Sequence, residues 1–297
     1  MNEVFKYKAN NPTNWFHSRL EKSNRYCLYC GVDLNNEKVP SNKEHLIARE
    51  FVPTGSFSGS CFNFIFRACQ ACNEKKSDLE RHVSSVTLLT SPSCGNDIAI
   101  RDLARRKGEK DFHPDKKGVS VGESGEDFSF TVNPLPGMQA TFGLIAPPQV
   151  KGEYASELAY RHIQGLFSLV TSSNPQEASG TMLLSPNHFQ IFGIFKHGNW
   201  GDPQLVELIR RTSDWVSIAC IITANGFFKA RLRRSENDAE GWFWALEWNK
   251  SYRVVGTISS SNPDIFQNLP PRKWIYLGND RISQAIPLPP EEDELFS

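Results

Sequence analysis

Cys27-Leu28-Tyr29-Cys30 and Cys69-Gln70-Ala71-Cys72 are two C-x2-C pairs, with residues 31–68 between them. A turn of this spacing presents both thiolates to one tetrahedral ion at about 2.3 Å, and two such turns fill the four positions that structural zinc prefers. Gly31 suits the tight backbone after the first pair. The pairs therefore predict a four-cysteine zinc site made by Cys27, Cys30, Cys69 and Cys72. The cysteines number 7, an odd count. The amino terminus has no apolar core followed by a small-residue cleavage site, so neither a disulfide framework nor a secretory signal is expected, and the reading places the protein in the cytoplasm. Cys61, Cys94 and Cys220 lack partners at ligand spacing and read as small buried apolar residues, Cys61 being the nearest of them to the zinc set.

Between the pairs runs Ser41-Asn42-Lys43-Glu44-His45-Leu46-Ile47-Ala48-Arg49-Glu50, then Phe62-Asn63-Phe64-Ile65, and the second pair continues as Cys72-Asn73-Glu74-Lys75-Lys76-Ser77-Asp78. These residues supply a base, hard oxygen ligands and a positioning amide, the parts of a metal-assisted phosphodiesterase. Over roughly residues 25 to 85 the order Cys-x2-Cys, Glu-His, Asn, Cys-x2-Cys-Asn-x2-Lys-Ser resembles the HNH nuclease family. The resemblance implies a two-stranded ribbon and a helix around a catalytic metal, braced by zinc. It implies that His45 is the general base, a role suited to an unperturbed pKa near 6.5. It further implies that Glu44 and Asn73 hold one divalent ion, Mg2+ or Mn2+, and that Asn63 orients His45 through a hydrogen bond. Lys75, Lys76 and Arg81 are the candidates to touch phosphate oxygens.

The pattern departs from the family in two places. Many members carry Asp before the His and a Pro-Gly-Gly-type loop soon after it, where this chain has Glu44 and the longer Phe51–Ser60 loop. Glu keeps the oxygen ligand and adds a methylene. The loop reads either as an approach to nucleic acid or as a spacer. His82 reads as structural. Arg101, Arg105, Arg106 and Lys107 form a basic cluster on a predicted helix, either DNA-contacting or solvated.

The chain of 297 residues balances 33 Lys+Arg against 33 Asp+Glu, with 39% hydrophobic residues, so two domains with real cores are expected rather than a disordered chain. Residues 1–120 hold 19 Lys+Arg and 14 Asp+Glu, and residues 121–297 hold 14 and 19, so the first half leans toward a polyanion partner. The longest nearly unbroken apolar run, Val216 to Ala224, is about half of the ~20 residues that a membrane-spanning helix needs. No internal repeat is apparent.

The predicted fold class is α+β: an amino-terminal ββα-metal module (1–106), a linker or polar loop (107–126), an α+β domain on an antiparallel sheet (127–286) and a disordered acidic tail (287–297). Within 127–286, strands are read at 128–132, 140–146, 189–195, 215–223, 227–232, 242–248 and 252–258. Helices are read at 153–170 and 204–211, with a hairpin signal at Asn225-Gly226. His162 is read as a core histidine. Trp242, Trp244, Trp248 and Trp274 are left as either core or the lining of a base pocket.

The function expected from the resemblance is hydrolysis of DNA phosphodiester bonds by a restriction or anti-phage endonuclease. The carboxy-terminal half would then select the target, or answer to a nucleotide signal or a protein activator. A homodimer is favoured because double-strand cutting by a single-metal site commonly needs two copies. The alternatives are a non-catalytic zinc-dependent nucleic-acid-binding module and an RNA-directed nuclease.

Overall fold

The computed structural model describes residues 5–6, 13–14, 24–58, 62–172, 184–236, 241–259, 264–277 and 280–297. Cys61 and part of the Phe51–Ser60 loop lie outside the described residues. Two-residue strands β1 (Phe5–Lys6) and β2 (Thr13–Asn14) precede the first substantial pair, β3 (Ser41–His45) and β4 (Phe64–Cys69). β3 and β4 run antiparallel with Glu44 opposite Phe66 and His45 opposite Ile65, and β2 lies parallel on the other edge of β4. α1 (Gln70–Leu89) leaves β4 without a loop. Leu79, Val83 and Val86 fall at helical spacing along it and are buried, which turns this face to the core.

α2 (Ser93–Asn96) is a single turn, and α3 (Ile98–Lys110) starts where the Asp97 carboxylate accepts the Ala99 and Ile100 N–H groups. A hairpin of β5 (Glu126–Leu135) and β6 (Met138–Ala146) turns at Gly137, whose φ of 79° favours glycine. α4 (Gly152–Thr171) and β7 (Phe189–Lys196) follow, then α5 (Pro203–Arg211), which begins at the Asp202 cap with Pro203 in its first turn. The remaining strands are β8 (Val216–Thr223), β9 (Phe228–Arg234), β10 (Trp242–Trp248), β11 (Tyr252–Ile258) and the separate pair β12 (Trp274–Leu277) and β13 (Asp280–Ser283). The main sheet has the order β1-β8-β9-β10-β11-β7, antiparallel except where β1 joins β8. The Asn225-Gly226 signal lies in the β8–β9 connection, and both residues take positive φ, 54° and 77°.

The side chains of β10 show what the sheet separates. Trp242, Trp244, Leu246 and Trp248 belong to a large core shared with β4, α1 and α4, whereas Phe243 and Ala245 face a smaller core with α5 and the chain end. This is the two-residue period of a strand buried on both faces. The first three tryptophans are therefore core, and Trp274 stands 36% exposed.

Three expected boundaries are corrected. Residues 1–106 and 127–286 do not hold separate cores, because Phe64, Val83, Leu166 and Trp248 belong to one cluster. Asn249 Nδ2 also donates to Phe51 O and to Thr87 Oγ1. The 107–126 stretch is no linker: its first residues finish α3, and the rest folds back with Val121 buried and its N–H on Asp111 O. The tail is not loose. Leu295 and Phe296 are buried, and Asp293 pairs with the fully buried Arg253, which also pairs with Glu247 at 2.9 Å. A buried guanidinium needs such partners, and two carboxylates supply them. Among the described residues, no helix is long and apolar enough to cross a membrane.

If the tail is part of the fold, Phe296→Ala should lower the unfolding free energy by about 3 kcal/mol, read from the shift of the urea midpoint. A shift of only a few tenths would mean that the tail does not dock.

Candidate active site and metal centre

The four cysteine sulfurs lie within 4.8 Å of one another, and those of Cys30 and Cys69 are 3.7 Å apart. Zn–S bonds of about 2.3 Å at tetrahedral angles separate sulfurs by about 3.8 Å, so the cluster is of the size that could hold a zinc ion. Each half is built by its backbone. The first is a tight turn in which Gly31 N–H donates to Cys27 O at 2.8 Å and Cys27 N–H to Val32 O at 2.9 Å, with Gly31 at a φ of 74°. The second is the junction of β4 with α1, with Cys69 at the N-cap position and Cys72 in the first turn. The hydrogen bond with Cys72 and burial push the Cys27 thiol up, against the pull of the Cys69 and Tyr29 N–H groups that reach its sulfur. Cys94 and Cys220, half-buried, contact the carbonyls of Leu88 and Phe296 instead.

Beside this cluster opens a cleft of about 440 Å³, lined by Glu44 and His45 of β3, Asn73 and Arg81 of α1, the following turn at Arg49 and Glu50, and Lys107 of α3. His45 is half-buried. Burial, with help from Lys43, Arg49 and Lys76, lowers its pKa to about 4, so the imidazole is neutral at pH 7 and free to accept a proton. Asn73 sends its Nδ2 to Asn42 Oδ1 at 2.6 Å, and among the described residues nothing bonds its Oδ1.

Asn63 works differently from the expectation. It donates to Ile47 O at 2.6 Å and accepts from Ile47 N at 3.2 Å, so it holds the backbone two residues beyond His45 rather than the imidazole. Gly165 of α4 supports the same segment, since a Cβ there would meet Leu46 Cδ1 at 2.4 Å.

Glu44 and Lys76 meet in a buried cluster. Glu44 Oε1 accepts from Tyr29 Oη at 3.0 Å and pairs with Lys76 Nζ at 2.8 Å, and Lys76 also pairs with Glu80, one helical turn on, at 2.8 Å. Glu80 Oε1 accepts the Ala48 N–H at 3.0 Å. Burial raises the Glu44 pKa against the opposing pull of Lys76. With both carboxylates ionised, two negative charges face one ammonium, which leaves an excess negative charge in the cleft wall.

The phosphate-contact expectation needs correction at Lys76, which is 1% exposed and fully engaged. Lys75 is exposed but pairs with Glu157 of α4 at 2.6 Å and does not line the cleft. Arg81 does line it, beside its partner Asp78 at 3.1 Å. The residues missed are Tyr29, Glu80, Lys43 and Arg49, while Lys107 belongs to the basic cluster already read on this helix. Only the Lys76–Glu80 pair had a sequence signal, its i,i+4 spacing. His162 sits in the core with its edge toward Phe51, Phe228 and Trp248, its Nε2 3.6 Å from Glu80. His82 accepts the Lys151 N–H at 3.1 Å, the structural role read for it.

In comparisons with known proteins, no family model, no curated protein and no solved structure matches the chain.

Burial lowers the pKa of His45, His82 and His162 to about 4 each, against about 6.5 in an unfolded chain. As pH falls below 6.5 the unfolded chain takes up these protons first, so stability is full above that value and is lost as pH drops toward 4. The urea midpoint should therefore fall between pH 7 and pH 5; a flat profile would contradict neutral burial of the three rings.

Proposed function

We propose that this chain is a metal-dependent endonuclease of the HNH type that hydrolyses DNA phosphodiester bonds. The observation that carries the reading is a neutral His45 on the same cleft as a carboxylate, Glu44, and an amide oxygen, Asn73, all held next to a four-cysteine cluster. A hydrated Mg2+ or Mn2+ ion suits this donor set, because such ions take one or two protein oxygens and keep several waters. Glu44 and Asn73 would hold it, and the excess negative charge of the Glu44–Lys76–Glu80 cluster favours a cation there. When bound, the ion stabilises the leaving 3′ oxygen and the charge on phosphorus.

In this reading His45 takes a proton from the attacking water on an imidazole nitrogen. The water oxygen bonds to phosphorus as the bond from phosphorus to the 3′ oxygen breaks, and the leaving oxygen takes a proton from solvent water. The products are a 5′ phosphate and a 3′ hydroxyl. Asn63 keeps the His45 backbone in place through Ile47, and Arg81 at the cleft offers its guanidinium to a phosphate oxygen.

One observation favours the non-catalytic alternative: Glu44 Oε1 is already held by Tyr29 and Lys76, as in a purely structural cluster. Plasmid cleavage separates the two readings. With Mg2+ or Mn2+ the wild-type protein should nick DNA, EDTA should stop it, and His45→Ala should lower the rate by about 10²-fold or more with the zinc content unchanged. A folded, zinc-loaded protein that cuts neither DNA nor RNA would overturn the nuclease reading, and cutting confined to RNA would reassign the substrate.

A further inference from the structure

The cleft beside His45 does not end at Lys107. Glu50 and Lys107 also line a second hollow, together with Arg106 and Lys110. Thr54, Leu103 and Arg106 of that hollow also line a third, which reaches Asp97 at the start of α3. Through these shared residues the three hollows succeed one another as a trough beside α3, whose 13 residues span about 20 Å.

The stripe that α3 turns to this trough is regular. Leu103, Arg106, Lys107 and Lys110 stand at i, i+3, i+4 and i+7, a single helix face, and all four line it. Three of the four are cations, of which Lys107 is half-buried and donates its ammonium to Glu50 O at 2.7 Å, whereas Arg106 and Lys110 are exposed. Among the described residues neither Arg106 nor Lys110 has a carboxylate partner, whereas Arg105, off the stripe, is paired with Glu109 at 2.8 Å. Lys107 and Lys110 lie in the last helical turn, where cations complement the helix dipole, and Arg106, just before that turn, bonds Asp102 O through Nε at 3.2 Å. At the cleft end, Lys43 and Arg49 are also exposed and without an ion pair among the described residues. Of the acids that line the trough, the Asp97 carboxylate is occupied in capping α3, and Glu44 and Glu80 share Lys76. That sets the exposed Glu50, the Asp97 cap and the one charge in excess on the Glu44–Lys76–Glu80 cluster against five cations, Lys43, Arg49, Arg106, Lys107 and Lys110.

We propose that the α3 face bearing Arg106, Lys107 and Lys110 is a second binding surface, which takes the phosphate backbone of duplex DNA as it leaves the His45 cleft; this rests on the nuclease reading. The trough fits a duplex rather than a single strand. Sequence-tolerant binding of single strands relies on aromatic platforms for unstacked bases, and the aromatic side chains lining this trough, Phe51 and Phe227, are buried at 1% and 5% exposure. What remains for a ligand is positive charge on a rigid helix, which positions a backbone without reading bases.

The test measures duplex binding by fluorescence anisotropy across a salt series, in the full-length His45→Ala protein so that nothing is cut, with zinc content as the check on folding. Each lost phosphate contact lowers the slope of log K against log[salt] by about 0.9. Arg106→Ala with Lys110→Ala should lower it by about 2, and should weaken binding equally on unrelated sequences. Arg105→Ala should leave the slope unchanged, and single-stranded DNA and RNA should bind more weakly than the duplex. An unchanged slope in the double variant overturns the proposal, as does equal loss in Arg105→Ala or a preference for single strands. Plasmid cutting by the protein with His45 intact separates the two readings. Cutting with an unaltered slope removes the α3 surface alone; binding that loses its slope without any cutting keeps that surface and removes the catalysis.

Discussion

Four sulfurs within 4.8 Å of one another tie the turn at Cys27–Gly31 to the junction of β4 and α1, and the cleft is positioned by that junction. Asn73 is the residue after Cys72. Ser41, at the far end of β3, pairs with Cys69, so the strand carrying Glu44 and His45 has its register set beside one of the four cysteines. Tyr29, within the first pair, donates its hydroxyl to Glu44. A short hairpin and a single helix bury little apolar surface on their own, and a tetrahedral ion held by the four cysteines would make up for it by fixing the geometry. The shared core completes the frame by packing α4 and β10 against α1.

The same frame places an ion-pair cluster where a metal site would be expected to have a free carboxylate. Buried charges are tolerated only when paired, and Lys76 meets this condition for both Glu44 and Glu80. The arrangement serves two ends. It fixes the Glu44 side chain against rotation, and when both carboxylates are ionised it leaves one negative charge in excess at the cleft wall. Positive charge lies outside this wall, on Lys43, Arg49, Arg81 and the α3 stripe, so a polyanion meets cations first and the buried carboxylates only at the base of the cleft.

Much of this architecture was legible in the residues. The C-x2-C spacing identified the cysteine cluster, and the alternation in β8–β11 and the helical spacing in α4 identified the sheet and its helix. What could not be read is what each buried face packs against. Trp244 announces a core but not that α1 and α4 lie opposite it, which is why one shared core read as two domains. The tail misled through its Pro and Glu content, although Leu295-Phe296 at its end supplied the apolar anchor. Lys76 read as a phosphate contact because a lysine beside Lys75 on a helix is ordinarily solvated; only the fold brings Glu44 to it. Likewise, Arg106, Lys107 and Lys110 become a surface for the cleft only when α3 packs alongside α1.

The central claim is that a catalytic divalent ion binds between Glu44 and Asn73, beside a separate structural zinc. Anomalous scattering from crystals of the zinc-loaded protein soaked in Mn2+ tests it most directly. A zinc peak is expected among Cys27, Cys30, Cys69 and Cys72, and a manganese peak in the cleft against Glu44 and Asn73. Zinc at the cysteines with no manganese at Glu44 would contradict it, and would leave the cleft as a binding surface built around a structural ion pair.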